Sequence, residues 1–188
     1  MIMGLPDNLN RDLVILHKGD TVTTSVDADA IASGWSGGQF LRWVDAGTGQ
    51  PVLTVANGRY CGFAAFGSNE AADQWTGLTK QNIVYGYVVL VFGGNFFYTR
   101  TFETYGYMAR HGLGPATLLV YEPQMKLYVS ENGKITPENE SDQATYPAHN
   151  FSDGSPIPDN DFVFFGICAV PPSTASKNYM AVQTNFGV

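Results

Sequence analysis

The pentapeptide Gly34-Trp35-Ser36-Gly37-Gly38 matches G-x-S-x-G, the turn that lifts a serine hydroxyl above the end of a strand, where a histidine base can reach it. Acyl transfer there would need a base and an acid further along the chain, and His111 or His149 with one of several carboxylates could nominally serve. The surroundings argue against it. No clear β-branched strand precedes Ser36, alternating helices are missing, and 188 residues is short for that hydrolase fold. A glycine-rich turn between two aromatic-bearing segments is the better reading, and no catalytic residue is assigned.

Metal chemistry finds equally little support. His17, His111 and His149 are far apart in sequence, no pair has helical spacing, and Cys-x-x-Cys does not occur. Asp153, Asp159 and Asp161 could contribute oxygens to calcium but lack EF-hand spacing. Gly112-Leu113-Gly114 lacks the lysine of a phosphate loop. No metal and no cofactor is therefore expected. Trp35, Trp43, Trp75 and ten tyrosines could stack on sugars, although rings in a β-protein more often belong to core or interface. A glycosidase would also need two facing carboxylates. Glu103, Glu122 and Glu131 are the candidates, and only folding can pair them. Cys61 and Cys168 have apolar neighbours and read as buried free thiols.

The elements that must position these residues are strands. Twenty-one glycines and ten prolines spread along the chain cut it into pieces too short for ordinary helices. Thr21 to Val26, Val52 to Val55, Tyr85 to Phe92, Phe96 to Phe102, Leu127 to Val129, Phe162 to Val170 and Tyr179 to Thr184 carry β patterning. Gly93-Gly94-Asn95 suggests a hairpin between the third and fourth of these, and Leu118 to Tyr121 suggests a partner for Leu127 to Val129 through Glu122-Pro123. Asn132-Gly133 tolerates the positive φ of a tight reversal. Helix is confined to candidate turns at Glu70 to Trp75 and Asp27 to Ser33. The expected fold is mainly β: a β-sandwich or β-barrel of roughly eight to ten short strands, with an extended N-terminal arm and little helix.

The arm is residues 1–20, and residues 21–188 form a single β-rich domain. Within that domain, Pro137 to Asp161 holds four prolines and six acids with no lysine or arginine, a long surface loop (137–161). The net charge of −7 disfavours nucleic acid. No apolar run is long enough for a membrane span, and Met1 to Pro6 lacks the basic start of a secretion signal. Synthesis in a cytoplasm, in soluble form and without membrane partners, is the corresponding expectation.

Several segments together resemble a known family. Lys18-Gly19-Asp20-Thr21-Val22 leads to a glycine-rich stretch from Trp43 to Phe63. Leu127-Tyr128-Val129-Ser130-Glu131-Asn132-Gly133-Lys134-Ile135-Thr136 follows, and the chain closes with Phe165 to Ser173 and a final strand. This order is similar to that of the decoration (cement) proteins and related head structural proteins of tailed bacteriophages, from about Gly19 to Phe186. The resemblance implies a non-enzymatic virion protein on the capsid exterior. Its partner would be the outer surface of the major capsid protein lattice, which it stabilises, and it would form a homo-oligomer, with a trimer favoured. Leu13, Val14, Ile15 and Leu16 are the interface candidates, either adding a strand to a neighbour or forming an edge strand of their own domain. A carbohydrate- or receptor-binding β-module of a tail fibre or base plate is the alternative.

Overall fold

The computed structural model describes residues 13–17, 20–25, 34–45, 51–56, 62–64, 87–92, 96–140, 165–174 and 178–184. Their elements are β1 Leu13–His17, β2 Asp20–Ser25, β3 Phe40–Asp45, β4 Pro51–Val55, β5 Gly62–Ala64, β6 Tyr87–Phe92, β7 Phe96–Thr99, α1 Tyr107–Arg110, β8 Lys126–Val129, β9 Ile135–Thr136, β10 Gly166–Val170 and β11 Met180–Thr184. The fold is mainly β, as the glycine and proline spacing implies. Among the described residues no helix is long and apolar enough to cross a membrane.

Two sheets result, one ordered β1-β7-β11-β10-β8-β9 and the other β2-β6-β5-β3-β4, with antiparallel strand pairs throughout. They share one core. Phe40, Leu41 and Leu53 from the second sheet join Phe97, Leu127 and Val182 from the first in a single cluster. The Phe40 and Phe165 rings meet there at 4.5 Å between centroids. Full burial of each such side chain contributes about 1.5–3 kcal/mol. Cys168 is a free, buried thiol in this core, and burial pushes its pKa up to about 11. Cys61 lies outside the described residues.

β6 and β7 do not pair as the hairpin expected across Gly93-Gly94-Asn95 would require, and residues 93–95 themselves lie outside the described residues. β6 lies between β2 and β5 in one sheet, while β7 lies between β1 and β11 in the other. Both edges of β6 are occupied, so β7 has no place beside it. Instead β7 pairs with β1 and β6 with β2, each antiparallel and in a different sheet. Leu13 pairs with Thr99 and Asp20 with Phe92. A register irregularity falls at Ile15/His17 in the β1–β7 pair.

Leu13 to Leu16, placed in an arm by the sequence pattern, thus form part of β1 in the protein's own sheet, and Leu13 is buried in the core. Leu118 to Tyr121 also departs from expectation. Its contact is a bridge from Leu118 to Tyr105, and β8 pairs with β9 and β10 instead. β3 lacks a legible alternation because Phe40 and Leu41, on opposite faces, are both fully buried. The candidate helices at 27–33 and 70–75 lie outside the described residues.

Candidate functional site

Between Thr104 and Tyr121 the chain carries one permanent charge, Arg110. The fold turns it inward. Residues 104–106 run beside 117–119, with the Leu119 amide donating to the Thr104 carbonyl at 2.9 Å. The single turn of α1 stands between them. Gly112, at φ +67, closes it: the Leu113 amide donates to the Met108 carbonyl and the Gly112 amide to that of Ala109. α1 has no side-chain cap from its N-cap residue Gly106. Glu138, arriving from beyond β9, accepts from the Tyr107 amide at 2.7 Å and places a carboxylate on the positive end of the turn.

Arg110 reaches three carboxylates. Its Nη1 lies 2.8 Å from Glu103 Oε1 and 3.7 Å from Glu131 Oε1, and its Nη2 donates to Glu140 Oε1. Nε and Nη1 are buried without hydrogen-bond geometry, so the attachment to Glu103 is electrostatic rather than a two-pronged fork. Glu103 is further held by Ser130 Oγ at 2.7 Å and Asn132 Nδ2 at 3.0 Å, both donating to Oε1. The Glu131 amide donates to Glu140 Oε2 at 3.0 Å. At the rim, His111 Nε2 sits 2.8 and 2.9 Å from the two Glu131 oxygens.

Glu140 has 0% of its surface exposed, where a solvent-facing loop was expected to begin. Burial pushes its carboxyl up to about 7, against the downward pull of Arg110 and the Glu131 amide, and the Glu131 and Glu103 charges add to the rise. Beneath the cluster the buried Tyr121 hydroxyl lies 2.7 Å from the Glu103 carbonyl and 3.1 Å from that of Ile135. Desolvation, and then the Glu103 charge, holds its phenol far above the ordinary value.

Of the three glutamates singled out from sequence, Glu103 and Glu131 are brought together and Glu122 stays exposed on a separate turn. Both converging groups are committed to the same guanidinium. Ser36 lies in a turn that runs into strand β3, whereas a nucleophile elbow runs into a helix. Its amide donates to Gln39 Oε1 at 2.9 Å, Gly38 donates to the Ala64 carbonyl, and Thr101 Oγ donates to the Gly37 carbonyl. The pentapeptide thereby ties the start of β3 to β5 and to the segment that follows β7. His111 is engaged with Glu131, and His149 and the three aspartates at 153–161 lie outside the described residues.

The same chain segment also carries exposed apolar side chains. Leu118 and Val120 are 59% and 67% exposed, and Tyr105, Met108 and Leu113 are also exposed. The Tyr105–Leu118 bridge and the Met108–Leu113 backbone bond hold them on one small unit. Sequence reasoning missed Arg110, Glu138 and Glu140. The available signal was the isolation of Arg110 in an otherwise uncharged stretch, since a lone cation among apolar residues needs a buried anion.

No family model, curated protein or solved structure matches this chain.

Proposed function

We propose that the protein is a non-catalytic structural component of a tailed-phage virion that binds the outer surface of the major capsid protein lattice and stabilises the head. The observation that carries this reading is the set of exposed apolar side chains on one short segment, Tyr105, Met108, Leu113, Leu118 and Val120. A set of this kind suits a partner surface that is itself apolar. Arg110, the one permanent charge in that segment, is withdrawn into a cluster of carboxylates. The net charge of −7 over the whole chain would keep particles apart. The segment resemblance supplies the identity of the partner, and a homotrimer is the corresponding assembly. The backbone edge of β1, which carries Leu13 to Leu16 and is terminal in the six-stranded sheet among the described residues, offers a second contact for a neighbour by strand addition.

Add-back to heads that lack their cement protein is the direct test. Sedimentation should show the purified chain on expanded heads, and their melting temperature should rise. Leu118→Asp with Val120→Asp should weaken binding by tenfold or more, since each places a charge at a desolvated contact. Failure to bind any capsid lattice overturns the reading, and selective binding on a glycan array would favour the receptor-binding alternative instead.

A further inference from the structure

We propose that Glu103, Arg110, Glu131 and Glu140 form a pH-operated latch, which at low pH holds residues 138–140 against α1 and the β8–β9 turn and loosens as pH rises toward neutrality. The charge count supports it. One guanidinium faces three carboxylates, of which Glu103 and Glu140 are buried. With all three ionised the cluster carries a net charge of −2, with one uncompensated charge among the buried groups, a state that buried sites relieve by retaining a proton. That proton belongs to the cluster, and Glu140 is the group with the least access to water.

The groups facing Glu140 are Arg110 from α1, Glu131 from the β8–β9 turn and Glu103 from the segment after β7. His111 adds a positive charge at the rim, through Glu131, whenever its imidazole is protonated. Glu138, which caps α1, lies two residues from Glu140 on the same stretch, so opening at Glu140 frees the cap as well. The switch is therefore mechanical. The unit it fastens is the one that carries the exposed apolar side chains, whichever partner they meet.

The direction follows from the shift of Glu140 from 4.5 to about 7. The latched state binds the proton more tightly than the open state, in which the carboxyl meets water. Opening is then rarest below the ordinary carboxylate range, rises about tenfold per pH unit up to about pH 7, and levels off above it.

Hydrogen exchange on the full chain tests this, with rates corrected for the pH dependence of the chemical step. The Tyr107 and Glu131 amides, which the two carboxylates hold, should lose at least tenfold protection between pH 5 and pH 7.5. Glu140→Gln should abolish that dependence. A pH-independent native protein, or a dependence that survives Glu140→Gln, overturns the latch. If the variant does not fold, the native protein suffices: carbon-13 titration of its glutamate carboxyls should show one group changing between pH 6 and 8, and its absence overturns the proposal. Neither readout involves a capsid, so the latch and the proposed function can fail separately.

Discussion

At the scale of single residues, Gly166 is explained by neither a turn nor a positive φ. A Cβ there would meet the Gln183 carbonyl oxygen and lie 2.9 Å from Thr184 Cα, both backbone atoms of the paired strand β11. Backbone cannot swing aside as a flexible side chain can. Gly166→Ala should therefore destabilise the protein by about 1–3 kcal/mol, toward the upper end, read as a lower urea midpoint. None of this was legible beforehand. The sequence around Phe165-Gly166-Ile167 reads as a strand containing a glycine, and the close approach depends on which strand lies alongside. Arg110 is a parallel case: its isolation was visible, while the identity of its three partners was not.

Among the elements, the β8–β9 hairpin shows how a correctly read local signal can have a second role. Asn132-Gly133 was legible as a reversal, and Gly133 does adopt φ +67. The turn also docks on the other sheet. The Gly133 carbonyl accepts from the Phe40 amide at 2.7 Å, and that of Asn132 accepts from Gln39 Nε2 at 2.8 Å. A Cβ on Gly133 would lie 2.6 Å from the Phe40 oxygen. Gly112 has the same φ with nothing within 4 Å of a Cβ, which makes it the control. Gly112→Ala should cost about 1–2 kcal/mol for the left-handed conformation alone. Gly133→Ala should cost about 1–3 kcal/mol more, because the clash adds to the strain. Equal losses in chemical denaturation would show that the turn does not hold the sheets together. The hairpin expected across Gly93-Gly94-Asn95 teaches the converse lesson, since a good turn sequence does not pair two strands when both edges of one are already taken.

For the whole molecule, the buried carboxyl of Glu140 sets a pH dependence of unfolding. Its pKa is raised from 4.5 to about 7, so the folded chain binds more protons than the unfolded chain between those values, and stability falls as pH rises through that window. The loss attributable to this group is on the order of 3 kcal/mol, and urea titrations at pH 5 and pH 7.5 should show it as a drop that Glu140→Gln flattens. Much of the architecture at this scale was determined by sequence alone. Evenly spread glycine and proline, short apolar runs and abundant rings permit little besides short strands around a core, because backbone conformation and side-chain alternation are local properties. Tertiary structure alone decided which strands are neighbours, that β6 and β7 fall in different sheets, and that Glu103, Arg110, Glu131 and Glu140 share one site. Those outcomes depend on competition among distant segments for the same edges and the same interior, and the energy of a buried charge is defined only once the groups around it are in place.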